Sequence, residues 1–526
     1  MHISSSSLSM PFTGTLYPVP FLTLGALVLS FSVYTLVNTM WTSRSVTIPL
    51  AALISTSSAA VDLKWYPPAS TQINDLSSAI NGTGVYGYIF DTSSTPEHKY
   101  GTYNWCNMPH VRKAEYVTPS NEYKLRYVEV IHRHHKRTPY AANSFPVESY
   151  PWNCPDSHLF YYANSPSHTP AEIYWQGYSS PVNPFSSSIP GFQGTCQFPQ
   201  ITGGGLDDSF QHGQDLWGVY GDLMGFLPAR GSTGWEEKVR YRVTTNQITS
   251  QVVGMVINGM YGLDTPIGVE IQLGGVDSLE PAYSCPAAAA GYDSVKSLKN
   301  AVWKGHLDAA KGLYEELDNI SGVPGNDSGF HLWMDHYYDN LSARECHAKP
   351  LPCKLVGGKN STTCVDREMA DSVYRLGQWE YSRLYRDEEA GFQASVASMG
   401  VWIAEVSQHL RDVVEGKGGQ VVYRHNVAHD GSLSRVLSVL QVEQMVWPGM
   451  GSEVVFELYE KVVKGENDCG KWFVRVLFGG RTLTSSNPSL GKMDMVPVKV
   501  LLGYLDGLVG VNAALVVGKC NGAIPA

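Results

Sequence analysis

The sequence predicts an α/β fold in which a layered core is interrupted by a mostly helical insertion. Strand-like and helix-like segments alternate between residues 124 and 274, which is typical of a sheet covered by helices. Charged, amphipathic stretches with helical periodicity fill residues 292–318 and 365–390, and strand-like segments return after residue 418. With 526 residues, 43% of them apolar, the chain has enough material for such a core and an insertion.

The alternation begins with the run KLRYVEVIHRHH at 124–135. Its Val, Ile and Tyr residues predict a strand that stops before Pro139. Apolar residues recur every three to four positions over 206–224, which predicts a helix. The other elements predicted in the same way are a strand at 239–245, a helix at 248–262, a strand at 268–274, a long helix at about 389–415, and strands at 418–428 and 471–480.

The order of these elements predicts one core built from two parts of the chain. Residues 61–120 are rich in Tyr, Pro and Gly, with short strand-like pieces such as 85–90, and predict an extended arm. The predicted organisation is a targeting region at 1–60, the amino-terminal arm at 61–120, the first part of the α/β core at 121–285, a helical cap insertion at 286–390 and the second part of the core at 391–526.

The charge balance excludes a protein built mainly to coat nucleic acid. Lys and Arg number 38 and Asp and Glu 48, a formal net charge of -10, which still allows a local basic pocket. The chain also lacks the repeated long apolar runs of a polytopic membrane protein. The composition therefore indicates a globular protein.

The amino terminus allows two interpretations. Residues 1–43 contain no charged side chain, and residues 20–40 are apolar enough to span a bilayer as a signal anchor or to act as an uncharged signal peptide. If translation starts at Met40 instead, residues 40–60 form a compact signal peptide with Arg44 in its charged region. We favour the second interpretation. In both cases the rest of the chain enters an oxidising compartment, so we expect an extracellular or cell-surface protein.

Cysteines and glycosylation sequons support that compartment. Nine cysteines allow up to four bridges with one thiol left over, and the sequence does not define the pairing. None of them shows zinc-finger spacing, so we expect no metal. The cysteines are Cys106, Cys154, Cys196, Cys285, Cys346, Cys353, Cys364, Cys469 and Cys520. The Asn-x-Ser/Thr sequons predict glycans at Asn81, Asn319, Asn326, Asn340 and Asn360.

A basic segment directly follows the first predicted strand. Arg133, His134, His135, Lys136 and Arg137 are consecutive cationic or titratable residues, which need an anion if they are buried. At the carboxyl end of a strand they would line the usual ligand crevice of an α/β sheet. Arginine presents a fork of donors that matches phosphate oxygens, and a histidine between two arginines can attack phosphorus. A solvated basic turn is the alternative.

A second polar segment, AHDGSL, follows the strand predicted at 418–428. His429 and Asp430 end that strand, and Ser432 could cap the next helix. An aspartate beside an anion site can have a raised pKa and give a proton to a leaving alkoxide. An ordinary aspartate at the start of a helix is the alternative.

Together the two segments resemble the histidine acid phosphatases, a family in the phosphoglycerate-mutase-like superfamily. RHHKRTP at 133–139 is similar to the family signature RHxxRxP, and AHDGSL at 428–433 is similar to its His-Asp signature. The resemblance extends in the same order from about residue 120 to 490, through segments at 198–205, 242–261 and 447–483. It implies a three-layer α/β/α sandwich with a mostly helical cap insertion.

The resemblance also implies roles for individual residues. His134 resembles the nucleophile that becomes a phosphohistidine, and Asp430 resembles the proton donor. Arg133, Arg137 and His429 resemble the groups that hold the phosphoryl oxygens. No metal or other cofactor is implied. His135 stands where the signature usually has glycine, so we expect its ring to crowd the phosphate loop.

One position departs from the family pattern. A third phosphate arginine is expected in the segment that begins at Arg242, and Ile248 stands in its place. The candidates to replace it are Arg240, Arg242 and Lys136. We therefore expect a secreted or surface acid phosphatase acting on a small phosphomonoester, and membrane contact only if the amino-terminal segment is retained. The alternative is a catalytically impaired relative that binds a phosphorylated or other anionic ligand.

Overall fold

The computed structural model describes residues 61–85, 105–158, 167–168, 171, 173–178, 180, 182–184, 194–262, 267–462 and 471–524. The predicted targeting region at 1–60, with its apolar segment 20–40 and the alternative start Met40, lies outside the described residues. Most of the strand-like piece at 85–90 lies outside them as well. Within the described part of the chain, every helix is too short or too polar to cross a membrane.

A mixed β-sheet forms the centre of the fold. The strands are β1 (Tyr123–Arg133), β2 (Val239–Val243), β3 (Val269–Ile271), β4 (Cys353–Val356), β5 (Lys359–Cys364), β6 (Tyr423–Ala428), β7 (Glu453–Lys461), β8 (Trp472–Phe478), β9 (Arg481–Thr482) and β10 (Val496–Pro497). The main sheet has the order β10-β8-β7-β1-β6-β2-β3, with β9 paired to β8, while β4 and β5 form a separate hairpin. Strands β1, β6, β2 and β3 are parallel neighbours, and β7, β8 and β10 pair antiparallel.

Helices cover this sheet and fill the insertion. They are α1 (Leu76–Asn81), α2 (Gly203–Leu216), α3 (Gln247–Tyr261), α4 (Pro286–Val295), α5 (Ala301–Ala309), α6 (Lys311–Ser321), α7 (Ser328–His331), α8 (Asp335–Cys346), α9 (Arg367–Ser382), α10 (Glu389–Val414), α11 (Asp430–Val439), α12 (Val498–Val509) and α13 (Val516–Cys520). The helix predicted at 206–224 is present as α2, followed by a π-helical turn at Trp217–Leu223. The helix predicted at 248–262 ends as expected, because Gly262 adopts a positive φ of 86°.

Alternate side chains of β1 pack into two separate apolar cores. Tyr127 and Ile131 belong to the core that includes α10, α11 and α12. Val128 and Val130 belong to the core that includes α2 and α3 on the opposite face of the sheet. A strand points successive side chains to opposite faces, so helices cover both sides of the sheet. This arrangement confirms the predicted three-layer α/β/α sandwich.

The insertion is mostly helical, and one disulfide joins it to the segment that precedes β1. Helices α4 to α9 and the β4–β5 hairpin account for its regular structure. The pairs are Cys106–Cys346, Cys154–Cys196, Cys285–Cys520 and Cys353–Cys364. Eight of the nine cysteines are therefore bonded, and the ninth, Cys469, lies outside the described residues. The predicted bounds of the insertion, 286–390, stay a prediction.

The described part of the predicted arm lies against the core through specific hydrogen bonds. The Tyr66 backbone N–H donates to Gln441 Oε1 at 2.7 Å, and Asn487 Nδ2 donates to the Asp62 carbonyl at 2.9 Å. The Trp65 indole N–H donates to the Arg386 carbonyl at 3.3 Å. These bonds fix residues 62–66 beside the polypeptide that follows α11.

Candidate active site

The two polar segments meet where β1 and β6 end. The strands are parallel, and Arg133 at the end of β1 pairs with Ala428 at the end of β6. The next residues are joined as well, because the His134 backbone N–H donates to the Ala428 carbonyl at 3.0 Å. The rings of His134 and His429 lie 5.4 Å apart, centroid to centroid. The sequence motifs at 133–139 and 428–433 thus form one site at the carboxyl edge of the sheet.

His134 is buried and held in one tautomer. Its Nδ1 lies 3.0 Å from the His135 carbonyl oxygen, which only accepts hydrogen bonds, so Nδ1 carries the proton. Nε2 therefore keeps its lone pair. Burial, together with the neighbouring Arg137, Arg133 and His429, holds the pKa of His134 well below its ordinary value. The lowered pKa favours the neutral imidazole, whose Nε2 can act as a nucleophile.

Arg133 and Asp430 form an ion pair beside this nitrogen. Arg133 is 1% exposed, and its Nη2 lies 3.1 Å from Asp430 Oδ2. Its Nη1 donates to the Pro448 carbonyl at 2.6 Å, while the Trp447 indole N–H donates to the same Asp430 oxygen at 2.8 Å. Burial raises the pKa of Asp430, but Arg133 and Trp447 lower it more. The net shift is downward, contrary to the raised pKa expected from the sequence.

Arg137 is paired with Asp339, a residue of α8 that the sequence analysis did not identify. The Nη2–Oδ1 distance is 3.0 Å and the Nη1–Oδ2 distance 3.3 Å, which is a bidentate arrangement. The guanidinium also stacks 4.2 Å from the ring centroid of Tyr140. Burial disfavours the charged guanidinium, but Asp339 and Tyr140 raise the pKa of Arg137 overall. The helical insertion thus supplies a carboxylate to the site.

His429 is held by two residues that the sequence analysis also missed. Its Nε2 lies 3.0 Å from Thr244 Oγ1 and 3.2 Å from Glu280 Oε2. Burial raises the pKa of Glu280, yet the hydrogen bond from His429 and the histidine's charge lower it overall. Thr244 could have been found, because it occupies the Thr position of the family segment that begins at Arg242. Glu280 lies in a loop with no such signal.

The third-arginine position is occupied by an apolar side chain in the core. Ile248 is fully buried among the side chains of α2 and α3. The three cations considered as replacements are engaged elsewhere. Arg242 forms ion pairs with Glu405 at 2.7 Å and with Asp277 at 3.2 Å. Arg240 lies 3.6 Å from Glu270. Lys136 lies 2.9 Å from Asp208. Of the five arginine and lysine side chains considered from the sequence, only Arg133 and Arg137 remain beside His134.

His135 does not crowd the phosphate loop, which corrects the expectation from the sequence. Its ring is fully buried on the α2 side of the sheet, where Nε2 lies 3.1 Å from His212 Nδ1. Gly451 makes room for the ring, because a Cβ at that position would lie 2.5 Å from His135 Cε1. Because Gly451 has no side chain, the imidazole of His135 fits beside it.

Comparisons with known proteins find phosphatases among the similar proteins. No family model matches the chain. Human 2-phosphoxylose phosphatase 1 is 24% identical over 456 residues, which cover 83% of this chain and 87% of the human protein. The Xenopus tropicalis protein of that name is 25% identical over 171 residues, 32% of this chain and 31% of its own length. Among solved structures, the phytase of Klebsiella sp. ASR1 aligns at 15% identity over 75% of this chain and 97% of its own, with a TM-score of 0.46.

The match to the human phosphatase spans both signatures, which the fold brings together at one edge of the sheet. The chain is thus similar to a phosphatase over most of its length. This similarity confirms the predicted resemblance to the histidine acid phosphatases and the predicted enzyme class, a histidine acid phosphatase-type phosphomonoesterase.

Four of the five predicted glycosylation sites are accessible. Asn81, Asn319, Asn326 and Asn360 are exposed, and their glycosylation stays a prediction. Asn340 is 1% exposed; its Nδ2 donates to the Asn143 carbonyl at 2.9 Å, and its Oδ1 accepts from Arg344 Nε at 2.9 Å. A glycan would break both bonds and displace α8. The burial of Asn340 therefore argues against the predicted glycan at this position.

Proposed function

We propose that this histidine acid phosphatase hydrolyses phosphomonoesters through a phosphohistidine formed on His134. The observation that carries the proposal is the buried His134, whose Nδ1 donates to the His135 carbonyl and whose Nε2 keeps its lone pair, with Arg133 and Arg137 as charged neighbours. Arg133 and Arg137 are both held by carboxylates, so their guanidiniums are already ordered. Preorganised cations stabilise developing phosphoryl charge more effectively than mobile ones.

The reaction follows in two steps. In the first step, His134 Nε2 forms a bond to phosphorus as the bond to the leaving oxygen breaks, and Asp430 donates its proton to that oxygen. In the second step, water attacks phosphorus, the N–P bond breaks, and Asp430 recovers a proton from the water. Arg133, Arg137 and His429 donate to the phosphoryl oxygens throughout.

The first step requires a protonated Asp430, and this requirement favours acid pH. Arg133 and Trp447 hold the pKa of Asp430 below its ordinary value. An anionic phosphate ester brings negative charge beside the carboxyl and competes for Arg133, and both effects raise the pKa of Asp430. Proton donation thus becomes possible when substrate is bound.

The same proposal places the protein in the secretory pathway, as an extracellular or cell-surface enzyme. Four disulfides support an oxidising compartment, because such bonds are rare where glutathione keeps thiols reduced. The exposed sequons are consistent with that route. The substrate is a small phosphorylated molecule, and the name of the human relative makes phosphorylated xylose one candidate.

The test is phosphate release from p-nitrophenyl phosphate, phytate and phosphorylated xylose between pH 3 and 6. The wild type should turn over at least one of these, and His134→Ala should fall to background. The matched control is His168→Ala, since His168 is an exposed histidine outside the site. Equal background rates for the wild type and His134→Ala would refute phosphatase activity. Retained phosphate binding by calorimetry would then select the alternative, a relative that binds anions without turnover, consistent with the buried Ile248.

A further inference from the structure

A second group of histidines lies beneath the active site, on the α2 side of the sheet. His132, His135 and His212 are 0% exposed, and each offers a ring nitrogen within 4.8 Å of the others. The proposed reaction uses none of these three side chains. They come from the end of β1, the turn that follows it and α2, so the fold brings them together.

Hydrogen bonds fix the ring nitrogens that face the centre of this group. His132 Nδ1 lies 2.7 Å from the Arg133 carbonyl and must donate to it, which leaves Nε2 without a proton. That Nε2 is buried and has no hydrogen-bond partner. His212 Nε2 lies 2.9 Å from Glu453 Oε2 and donates to it, which leaves His212 Nδ1 without a proton. Two lone pairs are therefore oriented by their neighbours before any ligand binds.

The third nitrogen belongs to His135. Its Nε2 lies 3.1 Å from His212 Nδ1. In a tetrahedral zinc site with Zn–N bonds of about 2.0–2.1 Å, two ligand nitrogens are about 3.4 Å apart. The three nitrogens lie within 4.8 Å of one another, so the rings must rotate to reach that spacing. An imidazole triad is a donor set that suits Zn²⁺.

We propose that His132 Nε2, His135 Nε2 and His212 Nδ1 bind one zinc ion. The proton that His135 Nε2 shares with His212 Nδ1 then moves to His135 Nδ1, which is buried without a hydrogen-bond partner. The second observation that supports the ion is Glu453, which is fully buried and accepts from His212 on the side away from the centre. A carboxylate behind a ligating histidine is the usual outer partner of a zinc site, and it balances part of the ion's charge. This inference departs from the sequence prediction, which expected no metal.

The site would support the nucleophile without touching the substrate. The carbonyl oxygen of His135 accepts the hydrogen bond that holds His134 Nδ1. A metal bond at the His135 ring therefore fixes the peptide that orients His134. All three ligands are buried, so we expect the ion to bind as the chain folds.

The test begins with the metal content of wild-type protein, produced in zinc-supplemented medium and dialysed against metal-free buffer. We expect about one zinc ion per chain, measured by inductively coupled plasma mass spectrometry. His135→Gly and His212→Gln should lose the bound zinc. Glu453→Gln should retain the ligands but bind zinc about 10- to 100-fold more weakly in chelator competition. The matched control is His306→Gln, because His306 is a buried histidine bonded to Glu380 at 2.8 Å outside the triad.

A wild-type readout keeps the proposal testable if a variant fails to fold. Cobalt-loaded wild-type protein should show the visible absorption of a tetrahedral nitrogen-coordinated Co²⁺ ion. Wild-type protein that holds no zinc and gives no such absorption would overturn the proposal. Unchanged zinc content in folded His135→Gly and His212→Gln would overturn it as well.

Discussion

Replacement of Asp339 by asparagine tests whether the helical insertion holds Arg137 of the active site in place. Asp339 is 3% exposed and accepts four hydrogen bonds: two from Arg137, one from Asn143 Nδ2 at 2.8 Å and one from the Tyr140 backbone N–H at 3.2 Å. Asparagine keeps the size of the side chain and one acceptor oxygen. It removes the charge that balances the guanidinium.

The magnitude follows from the burial of both partners. Removing one member of a buried ion pair costs about 3–5 kcal/mol, because the other charge is left unbalanced. Asparagine can still accept from Asn143, so we expect Asp339→Asn to lower the free energy of unfolding by about 3 kcal/mol. Phosphate supplies the missing negative charge to Arg137. Saturating phosphate should therefore stabilise the variant more than the wild type and reduce the difference between their free energies of unfolding.

The assay is equilibrium unfolding in guanidinium chloride, followed by tryptophan fluorescence with and without inorganic phosphate. Asp371→Asn is the matched control, because Asp371 lies 3.4 Å from Arg367, whose side chain is 49% exposed. A half-exposed pair of this kind is worth less than about 1 kcal/mol. If both variants lose the same stability, or if phosphate stabilises Asp339→Asn no more than the wild type, the reasoning about Arg137 is wrong.

Three further predictions concern the proton donor, the pH dependence of stability and the sequons. Asp430→Asn should lower kcat about 10²- to 10⁴-fold for an alkyl ester such as glycerol 2-phosphate but far less for p-nitrophenyl phosphate, whose leaving group needs little protonation. Equal losses of kcat for the two substrates in steady-state assays would contradict the role of Asp430 as proton donor. Burial lowers the pKa of His347 to about 4, so its contribution to stability is present above pH 6.5 and is lost as the pH falls towards 4. The free energy of unfolding of the wild type should therefore fall by about 2 kcal/mol more than that of His347→Gln between pH 7.5 and pH 5, measured by guanidinium unfolding. Equal decreases for the two proteins would refute the lowered pKa of His347. Glycopeptide mapping of secreted protein should find Asn340 unmodified, whereas a glycan there would contradict the packing of α8.

Local sequence patterns predicted the parts of the site that lie next to strand ends. The motifs at 133–139 and 428–433 each follow a parallel strand, and parallel strands place their carboxyl ends at one edge of the sheet. The two cores on either side of β1 follow from the same rule of alternation. This is why Arg133, His134, Arg137, His429 and Asp430 could be identified before the fold was known.

Residues that act across long distances in the chain could not be predicted in this way. Asp339 is 202 positions from Arg137, and no periodicity or spacing connects the two. The burial of Asn340 also depends on how α8 packs against Asn143, whereas the sequon is a purely local pattern. The position of the His135 ring depends on its contact with Gly451. These two residues lie far apart in the sequence, so no local pattern predicts that contact.

The central claim is that His134 accepts the phosphoryl group. Its most direct test is rapid mixing of wild-type protein with p-nitrophenyl phosphate at pH 5, followed within milliseconds by an alkaline quench that preserves phosphohistidine. Peptide mass spectrometry should find the added phosphoryl group on His134, and none in a sample of His134→Ala treated in the same way. Turnover with no phosphoryl group on His134, or with the group on another residue, would contradict the account.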